Sequence, residues 1–131
     1  MEMTDLCLDT SAYCALKRGD DEVYIYLERA DRILVPTIVL GELRAGFAGG
    51  GRRTQNLLEL SEFLSLPGCE IAMIDEAVSR RYADIVTALR SNGTPIPTND
   101  IWIAAVALNT ASTVLTRDRH FSRVPILPTL P

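Results

Sequence analysis

Asn99-Asp100-Ile101-Trp102-Ile103-Ala104-Ala105-Val106-Ala107-Leu108-Asn109, with Thr113-Val114-Leu115-Thr116-Arg117-Asp118 close behind it, decides how this chain is read. The first run is apolar nearly all round, as a helix buried on most sides must be. The second is a short β-branched and apolar stretch, a strand that ends two residues before an acid. Asp100 is followed at i+3, i+4 and i+7 by Ile103, Ala104 and Ala107, so it shares the buried side of its helix. A buried helix that feeds a short buried strand is one unit of an α/β sheet.

Outward from this unit, strands and helices continue to alternate. Thr4 to Leu8 reads as a short strand ending at Asp9, and Ser11 to Lys17 and Asp21 to Ala30 as helices separated by Gly19-Asp20. Asp20 reads as a solvated helix start. Ile33 to Val35 is a strand stopped by Pro36, which suits the first turn of the helix predicted from about Thr37 to Phe47. A glycine run, Gly49-Gly50-Gly51, ends that helix. The next helix, about Arg53 to Leu64, carries Leu57, Leu60 and Leu64 at i, i+3 and i+7. Pro67-Gly68 precedes a strand at Glu70 to Ile74. Asp75 is placed to cap a helix from Glu76 to Arg90, closed by Asn92-Gly93, and Pro95-Ile96-Pro97 forces an extended link. A last short strand is predicted at Val124 to Leu127. The pattern predicts one domain over residues 1–131, a three-layer α/β/α arrangement with a mainly parallel central sheet. Whether the strand near Ile33 lies at the centre or an edge is open at this level.

Composition narrows the function classes. A chain of 131 residues is of ordinary single-domain size. Its longest apolar candidate, Ile101 to Leu108, is too short to span a membrane. The acidic start Met1-Glu2-Met3-Thr4-Asp5 has no basic region followed by an apolar one, so a cytoplasmic location is expected. Cys7, Cys14 and Cys69 are odd in number and show no C-x-x-C spacing, which argues against a disulfide framework and a zinc site. Net charge is −4. Unselective grip on nucleic acid normally comes with a basic field, so any such contact here must be local, or the acidity must serve a metal.

Four acids stand where acids need a reason. Glu42 comes three residues after Val39 and four after Ile38, with Gly46 four further on, so it is expected on the inward face of its helix with no cap to satisfy. Asp100 lies on a buried side, and Asp9 and Asp118 follow strands directly or by two residues. Each aspartate has a plain structural reading as a helix or turn cap. Four together in a small domain must be neutralised or cost heavily in repulsion and desolvation. A hard divalent cation, magnesium or manganese, is the economical partner for clustered carboxylates.

At these residues the chain resembles a known family. Asp9-Thr10-Ser11, Leu40-Gly41-Glu42-Leu43, Asn99-Asp100-Ile101-Trp102-Ile103-Ala104-Ala105 and Thr116-Arg117-Asp118-Arg119-His120-Phe121 resemble the PIN-domain motifs, in the family's order. A lone short PIN domain of this kind is similar to the VapC toxins of prokaryotic toxin–antitoxin pairs. The resemblance implies a Mg2+- or Mn2+-dependent ribonuclease with Asp9, Glu42, Asp100 and Asp118 as catalytic and metal-binding set. It implies an RNA substrate, a cognate antitoxin, a homodimer and no membrane association. Thr10, Ser11, Asn99 and Thr116 stand beside the acids and are expected to orient a carboxylate or a water, with turn and cap chemistry as the alternative.

Other features read more plainly. Gly49 to Arg53 suits a flexible connector better than a flap bringing Arg52 and Arg53 to phosphate, and the lone His120 suits packing or solvent better than catalysis. Trp102 is expected in the core or at a dimer surface. A receiver domain would need an acidic pair at the first strand and a late lysine, but the one lysine is Lys17. No G-x-x-x-x-G-K-[ST] or G-x-S-x-G occurs, which excludes P-loop and nucleophile-elbow enzymes. A silent protein-binding module on the same fold and a nuclease acting on DNA remain as alternatives.

Overall fold

A computed structural model describes residues 4–131; Met1, Glu2 and Met3, the start of the acidic N-terminus, lie outside the described residues. The chain runs β1 (Asp5–Leu8), α1 (Thr10–Lys17), α2 (Asp21–Arg29), β2 (Arg32–Pro36), α3 (Thr37–Ala48), α4 (Arg53–Leu64), β3 (Cys69–Ala72), α5 (Glu76–Asn92), α6 (Thr98–Thr110), β4 (Thr113–Leu115), a 3-10 helix (Arg119–Arg123) and β5 (Thr129–Leu130). The five strands form one parallel sheet in the order β3-β2-β1-β4-β5. β2 is therefore interior, paired with β1 on one side and β3 on the other.

The strand order decides where a ligand can sit. From β1 the chain builds outward through β2 to β3, then returns past β1 to add β4 and β5. Right-handed crossovers put α1 to α4 on one face of the sheet and the returning α5 and α6 on the other. Between β1 and β4 the direction reverses, so helices leave to opposite sides and a crevice opens outside the carboxyl ends of these two strands. Asp9 directly follows β1, and Thr116 to Asp118 directly follow β4.

The core supports that crevice rigidly. Leu6, Cys7, Leu8, Val114 and Leu115 are almost wholly buried, as are Ile103 to Ala107 of α6. The Cys7 thiol faces the Ile103 carbonyl, and its burial raises its pKa beyond the usual range, so it behaves as a small apolar side chain. All three cysteines are free. Trp102, half buried, stacks on Tyr82 of α5 with ring centroids 3.9 Å apart and 21° between planes, which ties α5 to α6. α5 begins where expected, with Asp75 accepting the Val78 amide at 3.0 Å. It ends at Gly93, whose φ of 67° is the left-handed cap conformation that glycine adopts without strain. No helix among the described residues is long and apolar enough to cross a membrane.

The prediction for the last strand needs correction. Val124 to Leu127 does not pair; Val124 is buried where the 3-10 helix ends, and its amide donates to Phe121. The strand forms later, at Thr129–Leu130, where the Pro128 carbonyl accepts the Val114 amide and the Leu130 carbonyl accepts the Thr116 amide. Proline lacks a donor but keeps its acceptor, so Pro128 can flank an edge strand at a position where only its carbonyl faces β4.

Candidate metal centre

Asp9 occupies the position that caps α1, and its carbonyl accepts the amides of Ala12 and Tyr13, yet its side chain makes no capping hydrogen bond. Instead one carboxylate oxygen accepts the Ser11 hydroxyl at 2.5 Å and the Thr116 hydroxyl at 2.8 Å. The two hydroxyls lie 3.2 Å apart. Each also accepts a backbone amide of the loop after β4: Ser11 that of Arg117 at 2.9 Å and Thr116 that of Asp118 at 2.8 Å. Two short side chains thus fasten the β1 end to the β4 end, and Asp9 is the acid they share.

Asp118 then turns the chain. Its Oδ1 accepts the amide of His120 at 2.9 Å, the turn expected of an aspartate bonding two residues ahead. The turn brings the imidazole back over the carboxylates. His120 Nδ1 lies 3.0 Å from Asp118 Oδ1 and 3.1 Å from Asp100 Oδ2, the latter from the first turn of α6. Asp100, Asp118 and His120 offer ligand atoms that all lie within 4.8 Å of one another.

Glu42 joins from α3. Its two oxygens accept the Thr10 hydroxyl at 2.7 Å and the Asn99 side-chain amide at 3.2 Å. Thr10 is the neighbour of Asp9 and Asn99 the neighbour of Asp100, so Glu42 is held at the border of the cluster through residues adjacent to two other acids. Glu42 is half buried rather than fully inward, and Gly46, expected on its face, is exposed. The inward stripe of α3 is Val39, Leu40 and Leu43, and Glu42 flanks it. All four expected supporting residues, Thr10, Ser11, Asn99 and Thr116, hydrogen-bond one of the four acids.

The electrostatics are those of a site short of positive charge. Burial pushes the Asp9 carboxyl above the usual carboxylate range, against the Ser11 and Thr116 hydroxyls that favour its charged form. Burial also raises Asp100; the His120 hydrogen bond opposes this, and the charges of Asp9 and Asp118 add to it. Arg117 does not relieve them. Its guanidinium turns away to Asp20, at 2.9 Å, and Glu22, at 2.8 Å. Asp20 is thus no solvated bystander: it also caps α2 by accepting the Val23 amide. Carboxylate oxygens with a neighbouring imidazole nitrogen suit a divalent cation, which keeps waters and needs few protein ligands.

His120, expected to serve packing or solvent, is partly exposed and also stands against two of the acids. The signal was its offset of two from Asp118 in a turn, since an aspartate that bonds the second amide ahead brings that residue back to its own side. Arg52 makes an exposed contact with Glu59 at 3.4 Å at the start of α4, as a connector residue would.

Known proteins place this geometry. A family profile described as PIN domain matches residues 6–127. Ribonuclease VapC5 of Mycobacterium tuberculosis is 32% identical over 117 residues, covering 88% of this chain and 84% of that protein. Ribonuclease VapC2 of Rickettsia felis is 31% identical over 125 residues, 92% of each. Among solved structures, VapBC2 from Rickettsia felis bound to a DNA fragment from its promoter superimposes with a TM-score of 0.85 at 29% identity, covering 96% of this chain and 97% of that one. A sheet that reverses between β1 and β4, carboxylates collected at that reversal, and relatives matching nearly end to end agree: the chain belongs to the PIN-domain family, in its VapC group.

Proposed function

We propose that this protein is a divalent-metal-dependent endoribonuclease, the toxin of a VapBC-type toxin–antitoxin pair, with Asp9, Glu42, Asp100 and Asp118 as the acidic set and His120 beside them. The observation that carries the reading is the treatment of the acids. They converge at the switch point, accept hydroxyls and amides, and at Asp9 and Asp100 have carboxyl pKa values raised by burial, with no arginine or lysine bonded to them among the described residues. Bound to Asp100 and Asp118 with His120, magnesium or manganese would supply an activated water and positive charge opposite the phosphodiester. The chain's own residues do the rest. Ser11 and Thr116 hold Asp9 and the β4 loop at fixed separation, and Thr10 and Asn99 fix both oxygens of Glu42. The test is cleavage of a structured RNA and of a matched DNA by the purified protein. Cleavage of RNA with magnesium or manganese, abolished by chelation, is expected; undiminished cutting in excess chelator, or cutting of DNA alone, overturns the reading.

The solved relatives described as VapBC complexes support an antitoxin partner, and the proposal adds a single nuclease domain that forms a homodimer in the cytoplasm. Co-expression with a neighbouring short reading frame is expected to yield a stable complex that no longer cuts RNA. A monomer by light scattering at micromolar concentration, with no complex formed, removes this part of the proposal.

A further inference from the structure

Beside Asp118, the loop after β4 and the edge strand β5 line an open cavity of about 420 Å³. Thr116, Arg117, Asp118, Arg119, Ser122 and Thr129 line it, with the end of the chain, Leu130 and Pro131. Its volume falls in the range of small-ligand sites. Beside the Asp118 carboxylate and the apolar Leu130 and Pro131, its lining is hydroxyls and guanidinium with no aromatic face, which suits phosphate and ribose rather than a stacked base.

The two arginines of this cavity are not equivalent. Arg117 is committed to Asp20 and Glu22 by three hydrogen bonds, and its charge is cancelled there. The exposed guanidinium of Arg119 has no ion pair or hydrogen bond among the described residues, although it stands one residue from an acid of the metal centre. In a chain with a net charge of −4, a polyanion finds no general attraction, so grip must come from local cations of this kind. A guanidinium left unpaired next to a carboxylate cluster is placed to take a phosphate bidentately.

We infer that this cavity is the subsite for a backbone phosphate flanking the cleaved bond of RNA, with Arg119 as its anchor and Thr129 as a hydroxyl donor beside it. The inference rests on the ribonuclease reading and adds the position of the substrate strand: it runs from the metal centre across the β4 loop toward β5.

The test is the salt dependence of binding a fluorescent single-stranded RNA, in magnesium, in the cleavage-impaired Asp100→Asn background, between about 50 and 200 mM salt. One lost phosphate contact on a single strand lowers the slope of log affinity against log salt by about 0.7, and affinity near 0.1 M salt about fivefold. Arg119→Ala is expected to show both changes with an unaltered melting temperature. Arg119→Lys restores the slope, because a point charge still releases the counterion. Arg80→Ala, which removes an exposed arginine paired with Glu76 at the start of α5, leaves the slope as it was. An unchanged slope in Arg119→Ala overturns the subsite while leaving the nuclease reading intact, even if the substitution weakens a protein partner. If the parent protein neither cuts nor binds RNA, the nuclease reading and the subsite fall together.

Discussion

On one side of the loop after β4, Asp20 and Glu22 receive the guanidinium of Arg117; on the other, Asp9, Asp100 and Asp118 receive hydroxyls, amides and one imidazole. Asp20 is held below the usual carboxylate range, first by the Arg117 hydrogen bond and then by the Val23 amide. Asp9 and Asp100 are pushed above it, first by burial. Both groups meet the loop after β4, one at Arg117 and the other at Asp118 and His120, so the contrast is one of partners rather than of neighbourhood. An acid that secures the fold is given its cation by the chain. On the function proposed above, an acid kept for an external cation is given donors that orient it and leave its charge uncompensated.

The largest effect that tests this contrast is on catalysis. Asp9→Asn and Asp100→Asn are expected to cut RNA cleavage by about a hundredfold or more, since they remove charge from the cation's surroundings. Ser11→Ala and Thr116→Val, which remove only the donors that hold Asp9, should cost about tenfold and be partly rescued by raised metal concentration. Asp20→Asn should leave the metal concentration for half-maximal activity unchanged. The contrast breaks if Asp20→Asn shifts that concentration as far as Thr116→Val does.

A smaller effect, and one that needs no substrate, lies in the stability of the metal-free protein. Asp9 and Asp100 have folded pKa values raised above the unfolded value of about 3.8. Their contribution to stability is complete below the unfolded pKa and is lost as pH rises through the raised folded values. Asp20, with its folded pKa lowered, contributes stability above its unfolded pKa and loses it as pH falls through the folded one. At neutral pH, Asp9→Asn should therefore melt at or above wild type by about 1 kcal/mol, because an amide oxygen can still accept both hydroxyls. It should also respond less to magnesium, which stabilises wild type by binding the folded state. Asp20→Asn should melt below wild type and keep the magnesium response. Exposed Asp84→Asn should do neither. Unfolding curves against pH, with and without metal, separate the three; destabilisation of metal-free Asp9→Asn at neutral pH would make Asp9 a structural acid.

Much of this architecture was legible because it is written in local patterns. The all-round apolar run of α6, the breaks at Pro36, Pro67-Gly68 and Pro95 to Pro97, and the Asp75 cap are each decided by residues within a turn or two of each other. The last strand was not, because a two-residue edge strand has no periodicity of its own and exists only where β4 offers amides to its carbonyls. The same limit applies to His120 and Asp20, whose surroundings are set by Asp100, 20 residues away in sequence, and Arg117, 97 away.

The sequence by itself determined that strands and helices alternate, that four acids occupy places ordinary surface acids avoid, and that the motifs around them follow the PIN order. Those properties depend on hydrophobic spacing and on residue type, which the chain carries without folding. Only the tertiary structure decided which acids share a site with an imidazole, which arginine is cancelled and which is left free, and that Ser11 and Thr116 hold two strand ends at a common carboxylate. Hydrogen bonds and charge pairing fall off within a few ångströms, so they are fixed only when the reversal between β1 and β4 brings residues a hundred positions apart into contact.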